Sequence, residues 1–216
     1  AEQIAGELAA CAEQLRNPLF KNLSMQPVFC DTFDHNRGWG LGTVDGALMT
    51  SAWSIEENRL RVENTEKEIE KGFYYQPFPL EKVDFADFAV TIEGDRTYGT
   101  RESAYGLLFR MRPDGSAFYY FYILDGKPTY GIDAYIDGEW TEIQKTTITE
   151  LIDLNGRNQL AVIAAGTHFA CYINGMQVRA FDDERLPSGG LGLGFSMGTA
   201  GESAVFALDD FLLLAP

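Results

Sequence analysis

The residue types in this chain best suited to chemistry form a row of aromatic rings flanked by one guanidinium. In the segment Tyr105-Gly-Leu-Leu-Phe-Arg110, side chains of a strand alternate between faces. With Leu107, Phe109 and Met111 turned to a core, Leu108 and Arg110 fall on the opposite face. In the next segment Tyr119, Phe121 and Ile123 would face the core, which leaves Phe118, Tyr120, Tyr122 and Leu124 beside Arg110. Tyr130 or Tyr135 on the following segment would extend the row, and Trp140, two residues past Asp137-Gly138, would cap it. Flat rings bury apolar area against the C–H faces of sugars, and arginine offers a rigid fork to hydroxyls or a carboxylate. The same rings could equally stabilise a sheet by cross-strand packing.

Other chemistry finds less support. Glycoside hydrolysis with retention needs two carboxyls about 5 to 5.5 Å apart, and a strand of the form Glu-x-Asp-x-x-Glu would present them on one face. No such strand occurs, and the nearest echo, Glu93-Gly-Asp95, reads as a turn. His35 and His168 lie far apart in polar contexts, and no Gly-x-Ser-x-Gly elbow or Gly-x-x-x-x-Gly-Lys-Ser/Thr loop is present. The run Gly190-x-Gly192-x-Gly194 imitates part of a dinucleotide fingerprint, but Met197 stands where its third glycine belongs. No catalytic residue is assigned and no organic cofactor is expected. Calcium is the one ion with candidate ligands: Asp31, Asp34, Asp209 and Asp210 flank the first and last strands, although no EF-hand spacing occurs.

Composition narrows the setting. The 216 residues carry 17 Lys plus Arg against 32 Asp plus Glu, a formal net charge of −15. Such a field repels nucleic acid and anionic membranes. Apolar runs such as Phe211-Leu-Leu-Leu-Ala-Pro216 are too short for a membrane span, which takes about 20 residues. Three cysteines lack CxxC spacing. Cys171 alternates with Phe169 and Ile173 on one strand face and reads as a buried thiol, whereas Cys11 and Cys30 could pair in an oxidising compartment.

The elements that must position these residues are strands. Residues 1–16 place Ile4, Leu8, Cys11 and Leu15 at helical spacing, so a short N-terminal α-helix is expected, with residues 1–26 as helix and linker and 27–216 as one domain. From Pro27 onward, fourteen short apolar or alternating runs are separated by turn residues such as Pro113-Asp114-Gly115, Asp125-Gly126 and Asn174-Gly175. The runs that carry the aromatic row are expected at 103–112, 117–125, 129–136 and 139–144. Many strands without intervening helices predict an all-β fold of two stacked antiparallel sheets.

Several of these pieces, in order, are familiar. Asp31-Thr-Phe-Asp34 with Trp39, then Tyr105 to Arg110 and Phe118 to Asp125, precede Leu160-Ala-Val-Ile-Ala and Phe169-Ala-Cys-Tyr-Ile-Asn-Gly175. Gly190-Leu-Gly-Leu-Gly194 and Ala207-Leu-Asp-Asp-Phe211 complete the series. The series resembles concanavalin A-like lectin/glucanase domains, including laminin G-like modules and bacterial domains associated with 3-keto-disaccharide hydrolases. The resemblance implies a jelly-roll β-sandwich whose concave sheet takes sugars or peptides, although Tyr120 and Tyr122 stand where the hydrolases would need polar groups. The expected function is a non-catalytic carbohydrate-binding module of a secreted or surface protein, extracellular, periplasmic or on the bacterial cell surface, with a glycan or polysaccharide as partner. The alternatives are a glycoside hydrolase or related sugar-processing enzyme with acids drawn from loops, and a protein-interaction module with a protein partner.

Overall fold

In the computed structural model, residues 14–21, 23–67, 73–80, 84–154, 156–198 and 201–216 are described. Among the described residues fifteen strands follow in chain order: β1 Gln26–Asp31, β2 Gly42–Asp45, β3 Met49–Glu56, β4 Arg59–Glu66, β5 Phe73–Pro77, β6 Phe88–Tyr98, β7 Ala104–Met111 and β8 Ala117–Leu124. The remainder are β9 Thr129–Ile136, β10 Glu139–Ile148, β11 Asn158–Ala165, β12 His168–Ile173, β13 Met176–Asp182, β14 Gly190–Ser196 and β15 Ser203–Ala215. They form two sheets. One has nine strands in the order β13-β12-β11-β6-β15-β4-β3-β2 with β1 added beside β15, and the other has six in the order β10-β9-β8-β7-β14-β5. Every pairing is antiparallel.

The main core lies between the sheets, where Leu107, Phe109, Tyr119, Phe121 and Ile123 of the six-stranded sheet meet Phe88, Val90, Leu160, Val162, Phe169, Phe206 and Leu213 of the nine-stranded one. Alternation sets this inventory, since these strands turn every second residue inward, with a bulge between Asp209 and Leu212 resetting the phase in β15. At one end Trp39 packs edge-on to Phe78 and Phe211, with ring centroids 5.7 and 6.2 Å away.

A second apolar layer covers the outer face of the nine-stranded sheet. There Leu15, Leu19, Phe20, Leu23 and Met25 pack on Cys30, Ala89, Leu212 and Leu214. The helix expected over residues 1–16 lies largely outside the described residues, and its described end is a 3-10 turn, Gln14–Arg16, followed by another at Pro18–Phe20. Asn17 caps the second turn through its side-chain oxygen, and Pro18 supplies its fixed φ. Cys30 is disulfide-bonded and Cys171 is a buried free thiol; Cys11 lies outside the described residues. Burial raises the Cys171 thiol well above its ordinary range, so it remains protonated and inert.

Two sequence expectations change. Strand β2 was not anticipated: all four of its residues are exposed, so no buried alternation marks it, and it pairs with β3. Glu93-Gly-Asp95 is not a turn but the middle of β6. Its glycine faces Leu208 and Tyr105 at a distance that would bring an added Cβ within 2.5 Å of the Leu208 side chain, so close packing of a strand accounts for Gly94 here.

Candidate functional site

The outer face of the six-stranded sheet carries a third apolar cluster: Leu108, Met111, Phe118 and Tyr120, with Phe73, Tyr75, Tyr122 and Tyr135 packed against them. Phe118 stacks on Phe73 at 5.6 Å and on Tyr135 at 5.1 Å, and Tyr120 stacks on Tyr122 at 4.7 Å. Phe73 belongs to one edge strand and Trp140 to the other, yet their centroids are 5.2 Å apart. Rings from opposite edges meet over the middle of the sheet only if it curls, so this face is concave. Phe118 and Tyr120, each 2% exposed, form the floor, while Trp140 stands 48% exposed at the rim. Gly131, opposite Tyr122 on β9, leaves the space in which that ring lies: a Cβ there would sit 2.4 Å from the phenolic oxygen.

Beside the floor runs a groove of about 820 Å³, lined by Phe73, Tyr120, Tyr122, Trp140, Asp133 and Glu142 among others. Thr129, Thr146 and Ser196 add hydroxyls to its walls, and Lys127 forms an ion pair with Glu102. Asp133 and Glu142 are direct cross-strand partners on β9 and β10. Burial raises the Asp133 carboxyl to about 6; the Tyr122 hydroxyl opposes the shift and the Glu142 charge adds to it. A carboxyl whose folded pKa is raised binds more protons in the folded than in the unfolded state, so it subtracts stability as pH climbs from its unfolded value through about 6. Asp133→Asn is therefore expected to stabilise the domain at neutral pH by about 1 kcal/mol, after discounting for partial solvent access, with little change at acid pH. Urea unfolding at the two pH values checks it, and an equal effect at both would contradict it.

Four of the six residues expected to bind ligand, Phe118, Tyr120, Tyr122 and Trp140, share this face. The structure places the other two on the opposite face. Arg110 has φ of +54°, and the β7–β14 register skips it, passing from Gly190↔Met111 to Leu191↔Phe109. This β-bulge shifts the alternation by one, so Met111 joins the concave face and Arg110 turns to the opposite one. There the guanidinium is fully buried and donates to the carbonyls of Ala86, Gly166, Leu186 and Pro187, with its carbon 5.1 Å from the Phe169 ring centroid. Gly189 admits the bulge, because a Cβ there would meet the Arg110 backbone at 2.5 Å. Tyr130 lies in the inter-sheet core and donates its hydroxyl to the Val178 carbonyl at 3.0 Å. Its neighbour Tyr135 takes the concave position instead. Asp133, the groove residue that sequence reasoning missed, follows from the same period of two once Ile132 and Ala134 are known to face the core.

The four aspartates proposed for calcium do not converge. Strands β1 and β15 do pair, but Asp31 is fully buried and accepts from the Phe33 amide at 2.8 Å and the Trp39 indole at 2.8 Å. Asp34 sits at the surface with His35 and Arg37. Asp209 pairs with Arg157 at 2.8 Å, and Asp210 accepts from Gln14. Among the described residues no group of three acids, histidines or cysteines is arranged to hold a metal ion. His168 pairs with Asp182 on the surface.

No family model matches the sequence, and no curated protein matches it. Solved structures do match. A carbohydrate-binding module, CBM66 of Bacillus subtilis, aligns with a TM-score of 0.56 at 21% identity over 78% of this chain and 91% of its own. The fold is that of the concanavalin A-like jelly rolls. A β-glucanase of Bacillus licheniformis matches with a TM-score of 0.60 at 12% identity, covering 90% of this chain and all of its own. The laminarinase catalytic domain of Thermotoga maritima gives 0.61 at 11% identity over 90% and 99%. Within this jelly roll β8, one of the two central strands of the concave sheet, carries rings along its concave side and no carboxylate.

Proposed function

We propose that the domain is a non-catalytic carbohydrate-binding module that lays a glycan along the concave groove. The observation that carries this reading is the exposed indole of Trp140 above a floor of packed rings, flanked by hydroxyl and carboxyl groups. Aromatic faces take the apolar side of a pyranose while a few polar groups fix its orientation. The solved jelly rolls named for carbohydrate binding and for glucanase activity make this ligand class the natural one to test. The disulfide at Cys30 supports an oxidising location such as the cell exterior or periplasm.

Burying about 60 Å² of indole against a sugar is worth about 1.5 kcal/mol, close to tenfold in Kd. Trp140→Ala is thus expected to weaken the best glycan ligand from a broad array about tenfold while leaving the Tm within a few degrees of wild type. Unchanged affinity in that variant would count against the groove.

Glycoside hydrolysis is the second reading, favoured by one observation: Asp133 and Glu142 face each other across β9 and β10, and Asp133 is protonated to higher pH than an ordinary carboxyl. Turnover of any glycan in the array, abolished in Glu142→Gln, would establish it. Binding without turnover supports the module.

A further inference from the structure

The groove is unevenly charged. Among its described lining residues the one ammonium, Lys127, is held by Glu102, and Asp133 and Glu142 have no cationic partner among the described residues. The buried Oδ1 of Asp133 has no hydrogen-bond partner there either. A neutral ligand closing over this end would leave two carboxyls stripped of water with little in return, and an anionic one would be repelled. A ligand that brings its own positive charge satisfies both carboxyls. The ring faces of Tyr122 and Trp140 in the same groove favour it further, since aromatic quadrupoles attract ammonium groups.

We propose that the groove selects amino sugars, seating a protonated sugar amine at Asp133 and Glu142 while the pyranose rings lie along Tyr122 and Trp140. The proposal rests on the concave-face reading above and narrows its ligand to glycans rich in free glucosamine-type units. The groups facing Asp133 are Tyr120 and Tyr122 from β8 and Glu142 from β10. The two tyrosines remain neutral because burial raises their hydroxyls. The site therefore gains negative charge as Asp133 ionises near pH 6, and the preference for the amine should rise between about pH 5 and about pH 6.5.

The test is isothermal titration of the intact domain with a glucosamine hexamer, its fully N-acetylated counterpart and a neutral glucose hexamer. The expected result is binding of the free-amine hexamer about tenfold tighter than the N-acetylated one, with the difference lost in Asp133→Asn and reduced in Glu142→Gln. Equal affinities in the wild type would overturn the proposal. So would a preference that survives in both variants, since the net charge of −15 alone would then explain it. A hexalysine peptide binding as tightly as the glucosamine hexamer would overturn the assignment to sugars. Binding of the neutral hexamer without a gain for the amine would sink this inference and leave the concave-face reading standing. Failure of all three saccharides would sink this inference, and a broad array without any hit would sink the concave-face reading as well.

Discussion

Arg110→Ala is expected to lower the Tm by about 10 °C, the largest effect of any single change considered. The guanidinium donates to four backbone carbonyls from three different connections: Ala86 before β6, Gly166 between β11 and β12, and Leu186 and Pro187 between β13 and β14. Deleting it leaves those oxygens without their donor and opens a large cavity against Phe169. Loss of such a buried charge, held by four carbonyls, costs about 4 kcal/mol, which in a domain of this size corresponds to about 10 °C. Arg110→Lys should recover part of the loss, because a single ammonium cannot span four acceptors in a plane. Thermal unfolding followed by circular dichroism decides the matter. A shift below about 2 °C would mean that the side chain is solvated and points into the groove after all. Well below its Tm, the alanine variant should bind glycan as the wild type does, which separates the two roles.

Asp31→Ala is expected to cost about 3 kcal/mol, because it strands the buried Trp39 indole and Phe33 amide together and removes the charge facing Arg37. Phe33 adopts a φ of +53°, a strained value for an aromatic residue that the Asp31 carboxylate helps to hold. Asp31→Asn retains one acceptor and should cost about half as much. Urea unfolding gives the numbers, and near-UV circular dichroism should show Trp39 losing its fixed environment. Wild-type stability within 1 kcal/mol in Asp31→Ala would refute this account. With both Asp31 oxygens already engaged, added calcium or excess chelator is expected to leave the wild-type Tm in place.

Alternation carried most of the reading from sequence to structure. The strands of the concave sheet, the inward set Leu107, Phe109, Tyr119, Phe121 and Ile123, and the shared face of Phe118, Tyr120 and Tyr122 all follow from a period of two and from turn residues. Arg110 was misplaced where the period breaks. A bulge adds a residue without altering composition, so nothing local in Phe109-Arg-Met111 announces that Arg110 turns inward. The only trace lies some eighty residues away, in the glycine that must face it. Asp133 escaped notice because its partners Tyr122 and Glu142 come from two other strands, and cross-strand neighbours are set by register, which no single segment contains. The calcium expectation grouped four aspartates by their distance from strand ends, whereas their side chains find separate partners on different faces.

The pairing of β1 with β15 sets how this domain can be attached to anything else. Gln26 lies opposite Ala215, so the chain enters and leaves the sandwich at neighbouring points of the nine-stranded sheet. The groove opens on the other sheet. A tether, bead or fused protein joined beside Ala215 would therefore hold the domain by its back, leaving the aromatic face turned outward. Several copies displayed in this way on one support could grip a long polysaccharide together, with an avidity far above that of one groove.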